Sequence, residues 1–320
     1  MEIFNLTLKQ MMLMFSLILV GFVLRKKSLL PDNAGTVMAK LLTYLFTPAL
    51  SLYTQMTKCN VQSFIENAHL LLYGLVIVLF AIAISYPLSK CFVKNSNDSP
   101  EKAYTRNVYK YAATFGNYGF VGNFLILGVW GEDLFYKYSL FVFFVGIMCT
   151  SWGLYILIPK EKNANVFQNL KKGLVTPPFI ALLIGMLFGL LGISKYVPQF
   201  AIGAFENAGK CQGPVAMVLA GFVIGGYNFK EMALNKKVYI ISLLRLVVIP
   251  SVMILALKYF GASREVMLLT MVAFAAPLGM NTIVYPATYG GETKTGASMT
   301  MISHALSVVT IPLMYIMFFS

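Results

Sequence analysis

Charge is what this sequence has least of. Only 12% of its 320 residues are Asp, Glu, Lys or Arg, where a soluble domain carries about 25%. The acidic share is smaller still, 12 residues against 25 basic ones. Histidine is reduced to His69 and His304, so no HExxH zinc motif is possible. Four cysteines, Cys59, Cys91, Cys149 and Cys211, are scattered without a CxxC pair. They read as ordinary apolar residues, not as a disulfide framework or a metal site. There is no Walker motif and no nucleophile elbow, so neither an enzyme nor a nucleotide-driven pump is indicated, and no cofactor is expected. The first residues, MEIFNLTLKQ, lack a basic n-region, so the first apolar run is expected to be a retained span rather than a signal peptide.

Apolar sequence fills the space that charge leaves. The chain is 58% hydrophobic with a mean hydropathy of +0.74. Its apolar runs are about 20 residues long, the length of membrane helices rather than of barrel strands of about 10. An all-α polytopic membrane protein with ten spans is expected, at 8–25, 35–56, 67–90, 104–130, 134–158, 174–192, 201–226, 238–259, 266–290 and 295–318. No soluble domain fits between them. Alternate loops collect the positive charge: Arg25, Lys26 and Lys27; Lys90, Lys94, Lys102, Arg106 and Lys110; Lys160, Lys162, Lys171 and Lys172; Lys230, Lys236 and Lys237; and Lys294. The opposite loops hold only Lys9, Lys58, Lys137, Lys195, Lys258 and Arg264. Positive loops stay in the cytoplasm, which puts both termini outside the cell membrane. An anionic lipid surface suffices to explain the net charge of +13, with no nucleic-acid partner.

Two spans are wrong for plain helices. In the fourth, Thr114-Phe115-Gly116-Asn117-Tyr118-Gly119 puts two glycines and an amide at mid-depth. In the ninth, Pro277, Gly279 and Asn281 do the same. Glycine and proline interrupt helices, and an unsatisfied polar group in lipid costs several kcal/mol. Both stretches end alike, at Trp130-Gly131-Glu132-Asp133 and Gly290-Gly291-Glu292-Thr293. Interrupted segments in corresponding positions of two halves point to a transporter's binding site. The plainer alternative is close packing through small residues, with the amides as interhelical glue. Other features also repeat. Pro31 precedes span two as Pro198 precedes span seven, and Pro48 and Pro214 are expected to break those spans. Residues 1–160 and 161–320 are thus read as two five-helix repeats. Five is odd, so the second copy must be inverted.

The run Phe115-Gly116-Asn117-Tyr118-Gly119-Phe120-Val121-Gly122 resembles the glycine–asparagine motif of the auxin efflux carrier family, which includes bacterial malate and malonate permeases and is related to the plant PIN-FORMED carriers. Leu244-Arg245-Leu246-Val247-Val248-Ile249-Pro250 and Ser303-His304-Ala305-Leu306-Ser307-Val308-Val309-Thr310-Ile311-Pro312 are similar to that family too. The resemblance implies two inverted five-helix repeats with crossed, broken helices four and nine, a fold similar to bile-acid symporters and sodium/proton antiporters. It implies a scaffold domain of spans 1, 2, 6 and 7 beside a transport domain of spans 3–5 and 8–10. The function implied is alternating-access transport of a small organic anion, such as malate, malonate or an auxin-like acid. A sodium-coupled bile-acid-like symporter and a non-transporting receptor on the same fold stay open as alternatives. So do proton or sodium coupling, and assembly as a homodimer.

Asn117 and Asn281 are the first candidates for substrate contact, because an amide both donates and accepts. The half-helices beginning near Gly119 and Met280 would aim positive ends at an anion. Thr114, Tyr118, Asn123, Thr282 and Tyr285 are further lining candidates, while Gly116 and Pro277 are expected to set geometry. Charges at membrane depth are functional candidates by default. Glu206 and Lys210 have the i,i+4 spacing of an ion pair. Arg245 has no acidic neighbour in its span and either balances a substrate carboxylate or snorkels to the surface. His304 is a candidate proton carrier, or else a packed hydrogen-bonding residue. No intramembrane pair of aspartates is present to copy antiporter chemistry.

Overall fold

The computed structural model describes residues 2–95, 98–159 and 175–320. The expected cytoplasmic connection 159–173 lies almost entirely outside the described residues. The described residues are predominantly helical, and among them the one β-type pairing is a single antiparallel bridge between Gly116 and Leu278.

The chain opens with α1 (Glu2–Lys26). Then α2 (Ala34–Leu41) runs through a π-helical turn, Leu42–Phe46, into α3 (Thr47–Lys58). Pro48 therefore does not break this span as expected. It sits in the first turn of α3, and the widened turn before it removes the clash a proline ring makes with the carbonyl four residues back. The same device recurs where α14 (Lys236–Leu243) passes through the π turn Leu244–Val248 into α15 (Ile249–Tyr259), which starts at Ile249-Pro250. Between them lie α4 (Val61–Asn67), α5 (His69–Phe92), α6 (Pro100–Thr114), α7 (Asn123–Phe141), α8 (Phe143–Met148) and α9 (Leu154–Leu157). There follow α10 (Pro177–Leu190), α11 (Gln199–Lys210), α12 (Gln212–Gly225) and α13 (Phe229–Ala233). The chain finishes with α16 (Arg264–Phe274), α17 (Asn281–Tyr289) and α18 (Lys294–Phe319). At Pro214 the interruption is one residue, Cys211, between α11 and α12.

Among the described residues five helices are long and apolar enough to cross a membrane: Ile3–Lys26, Val61–Phe92, Gln199–Gly225, Lys236–Tyr259 and Lys294–Phe319. A sixth arises if Tyr118–Phe141 and Phe143–Leu157, bent by 51°, count as one span. The other expected spans also fall on helix, but in pieces. Their lengths are cut by the breaks near 115–117 and 275–280 and by the shortness of α10. Within α7 the backbone turns at Gly131, with φ 80 and ψ −171. Gly290, φ 78, ends α17. Both positive φ values suit glycine, but the turns differ: Gly290, at ψ 29, is a left-handed helix cap, whereas Gly131, at ψ −171, is an extended kink inside a helix.

Packing divides the helices. α1 lies along α12, and α3 lies along α10 and α11. The contact is close: a methyl group on Gly221 would fall 1.8 Å from the Ile18 carbonyl oxygen. Small residues allow such approach where lipid gives helices no hydrophobic drive to associate. α5 packs on α6, α7 and α8, and α18 on α1 and α14. Large apolar side chains face outward, among them Leu72, Val76, Leu187 and Leu255. This is the reverse of a soluble surface and suits contact with acyl chains.

Candidate functional site

The two broken stretches meet. Between α6 and the π turn Tyr118–Gly122 the chain is extended at Phe115, and between α16 and α17 it is irregular from Ala275 to Met280. These segments pair antiparallel through Gly116 and Leu278. The Asn117 backbone N–H donates to the Pro277 carbonyl at 2.6 Å. Gly116 is fixed by this approach: a methyl group there would stand 2.6 Å from the Ala276 carbonyl oxygen and 2.9 Å from Arg245 Nη2.

Breaking two helices frees backbone groups that must find partners. Leu278 N donates to Ser303 Oγ at 2.9 Å, Tyr138 donates its hydroxyl proton to the Tyr118 carbonyl at 3.0 Å, and Gln212 Nε2 donates to the Gly119 carbonyl at 2.8 Å. These three side chains carry the crossing. None was singled out from the sequence, although Ser303 lies in the carboxy-terminal run. Gln212 had a signal, an amide two residues before Pro214 in an apolar segment.

A cavity of about 490 Å³ opens beside the crossing. Of the residues expected at a site, Gly116, Asn117, Tyr118, Gly119, Asn123, Asn281 and Tyr285 line it. Thr114 and Thr282 do not; both are fully buried, with hydroxyls bonded to the carbonyls of Lys110 and Gly279. Pro277 is behind the wall and serves through its carbonyl, the geometric role expected of it. The remaining wall comes from α2, α3 and the π turn between them, α7, α8, α9 and the π turn before it, α10 and α12. Asn117 is 5% exposed, and its Nδ2 is buried with no partner. Asn281, by contrast, donates through Nδ2 to the Tyr111 hydroxyl at 2.9 Å. The first turn of a helix leaves its N–H groups unsatisfied and partly positive, and both the π turn after Asn117 and α17 begin at this cavity.

No Asp, Glu, Lys, Arg or His stands among the described residues lining the cavity. Arg245 departs from both expectations. It is fully buried, so it does not snorkel, and it lies behind Gly116 rather than in the cavity wall. Its Nη1 donates to the Phe274 carbonyl at the carboxy end of α16, and the guanidinium lies 5.2 Å from the centroid of the Phe274 ring. A cation there compensates the negative end of a half-helix. His304 is 1% exposed, its Nδ1 2.7 Å from the Thr300 carbonyl oxygen. Glu206 and Lys210 form the expected pair at 2.5 Å, but around a second pocket of about 290 Å³. That pocket also holds Glu132, Tyr53 and Gln212. Among the described residues no group of three or more His, Cys, Asp or Glu side chains could hold a metal ion.

A helical, lipid-facing chain with two interrupted helices meeting at an internal cavity defines a membrane transport protein. Residues 6–315 match the model of the membrane transport protein family, and the chain belongs to that family, in agreement with the auxin efflux carrier resemblance. It is 22% identical over 307 residues to an uncharacterized transporter of Methanocaldococcus jannaschii, covering 93% of this chain and 94% of that one. It is 21% identical over 299 residues to an uncharacterized transporter of Methanothermobacter thermautotrophicus, covering 93% of each.

Proposed function

We propose that this protein is a secondary transporter of a small organic anion that works by alternating access. The observation that carries the reading is the unpartnered, buried Asn117 Nδ2 at the crossing, beside a cavity into which two helices begin. A carboxylate supplies the acceptor that this donor lacks, and it suits partly positive helix starts. An uncharged lining binds a carboxylate without holding it as an ion pair, which a carrier that must release its cargo requires.

The wider architecture we propose is ten spans in two inverted repeats, in the plasma membrane with both termini outside. The packing of α1 on α12 and of α3 on α10 and α11 supports a scaffold of spans 1, 2, 6 and 7. In that topology the cavity lining from Thr176 to Phe179 lies at the cytoplasmic end, and the smaller pocket, with Glu132 and Glu206, faces outside. The cavity is then open inward. The coupling ion, proton or sodium, and a homodimeric assembly belong to the same proposal without a residue assigned to either.

The test is tracer flux of malate, malonate and indole-3-acetate in proteoliposomes, under potassium–valinomycin potentials of both signs, with and without sodium and at several pH values. Saturable carboxylate flux, competed by other carboxylates, is the expected result. Transport of neutral or cationic compounds with no competition by carboxylates overturns the anion assignment, and ligand binding without flux favours a receptor.

A further inference from the structure

The two asparagines at the crossing are chemically alike and held differently. Asn117 Nδ2 has no partner. Asn281 Nδ2 donates to the Tyr111 hydroxyl at 2.9 Å and lies 3.5 Å from Cys149 Sγ, and the Tyr111 hydroxyl and the sulfur are 3.0 Å apart. Tyr111 is 1% exposed and Cys149 2%. Neither lines the cavity; both stand behind Asn281. Tyr111 is anchored on α6, its ring 5.0 Å from that of Phe115, and Cys149 begins the π turn Cys149–Gly153 between α8 and α9.

An amide has a donor end and an acceptor end, and which end faces a ligand is set by what holds the other. The chain from Asn281 N–H to Tyr111 oxygen, and from Tyr111 O–H to the Cys149 sulfur, uses the hydroxyl as acceptor and donor at once. The reverse arrangement would rest on a thiol proton, a weak donor. With its amino group engaged behind the wall, half-buried Asn281 offers its carbonyl oxygen to the cavity. The site therefore pairs an unpartnered donor on Asn117 with the acceptor end of Asn281. We propose that Tyr111 and Cys149 are positioning residues that fix Asn281 with its carbonyl toward the cavity, so that the site selects organic acids carrying a hydrogen-bond donor, a hydroxyl or ring N–H, beside the carboxylate.

This rests on the organic-anion reading, and the experiment separates the two. The purified full-length protein is titrated by thermal shift with matched acids that differ by one donor: 2-hydroxysuccinate against succinate, lactate against propionate, and indole-3-acetate against naphthalene-1-acetate. One neutral hydrogen bond corresponds to a preference of about two- to tenfold for the donor-bearing member. Tyr111→Phe should erase that preference by weakening only the donor-bearing member, and in flux it should raise KM for that member with little change in maximal rate. Cys149→Ser, which keeps an acceptor for the tyrosine proton, should preserve the preference, and Cys149→Ala should reduce it. Should Tyr111→Phe fail to purify, the Cys149 pair carries the same comparison without touching the ring. A preference unchanged in Tyr111→Phe and Cys149→Ala, or an equal loss for both members of a pair, overturns the proposal while leaving the anion reading intact. No shift with any acid in the wild type overturns both.

Discussion

The larger cavity is lined without one charged side chain among the described residues, whereas the smaller pocket holds Glu132, Glu206 and Lys210. They share a wall, since Gln212 of the smaller pocket donates to the carbonyl of Gly119 in the larger. Most polar groups of the larger cavity are half-buried and uncharged, with Asn117 and Asn123 buried among them. Those of the smaller are half exposed and paired with one another. Lys210 is 64% exposed and Glu206 32%. Buried hydrogen bonds are costly to leave unmade, while exposed ion pairs contribute little. On the function proposed above, recognition depends on the neutral side, and the charged side is expected to contribute little to it. Four substitutions break or sharpen that contrast.

Arg245→Ala should have the largest effect. It removes a cation that compensates the carboxy end of α16, and it leaves a void behind Gly116. Truncating a buried charged group in a network costs about 3–5 kcal/mol, read as a fall in melting temperature in detergent. Arg245→Lys should lose less than Arg245→Gln, because it keeps the charge. A variant as stable as the wild type would show that the crossing holds itself.

Asn117→Ala comes next, on binding rather than stability. A hydrogen bond to a charged group is worth about 1.5–3 kcal/mol, or roughly a tenfold to hundredfold loss of affinity. The folded state should be unharmed, since Asn117 Nδ2 has no partner to lose. Calorimetric titration with a transported acid checks it; unchanged affinity would return Asn117 to a structural role.

Much of this contrast was legible in the sequence, and the reasons are local. Glycine, proline and asparagine at mid-span announce a break because each acts on its own backbone. The pairing of the breaks follows from their matching places in two halves. The i,i+4 pair Glu206–Lys210 needed only helical spacing. The roles of Tyr111, Cys149 and Ser303 were not legible, because they come from which helices are neighbours; Gln212 carried a signal, an amide in an apolar segment, but not its partner. Arg245 was noticed as a charge and misplaced for the same reason: its partner, the Phe274 carbonyl, is a main-chain atom 29 residues away that no side-chain pattern reveals. Pro48 was read as a break, but a π turn absorbed it.

Gln212→Leu tests the shared wall. It leaves the Gly119 carbonyl unpaired at the crossing, at a cost of about 1–3 kcal/mol. Its effect should fall on both sides: a lower melting temperature and altered ligand affinity in the larger cavity, despite the residue's place in the smaller pocket. A loss of stability with affinity untouched would show that the two compartments are mechanically separate.

The smallest effect is expected at the rim of the charged pocket. Lys58 reaches Asp133 at 2.8 Å and Glu132 at 3.7 Å, with side chains 31%, 89% and 38% exposed. The bond from Lys58 holds the Asp133 carboxyl below its ordinary 3.8, and the bond to Asp133 raises Lys58 above its ordinary 10.5. A depressed carboxyl stabilises the fold above its unfolded value and loses that contribution as pH falls through the folded one. A raised amine stabilises below its unfolded value and loses that contribution as pH rises through the folded one. The pair therefore acts across the range between them and fails at both ends. At such exposure it is worth about 0.2–1 kcal/mol, and at the low end because the carboxylate is almost wholly in water. Lys58→Gln should lower the melting temperature slightly at neutral pH and low salt. The deficit should fade in high salt, where exposed charges are screened, and as pH falls through the carboxylate range. The Asn117→Ala binding defect should depend far less on salt, since the lost bond is buried. If Lys58→Gln instead costs as much as Arg245→Ala, the charged rim is holding the fold closed, and the division between a structural neutral side and an idle charged side fails.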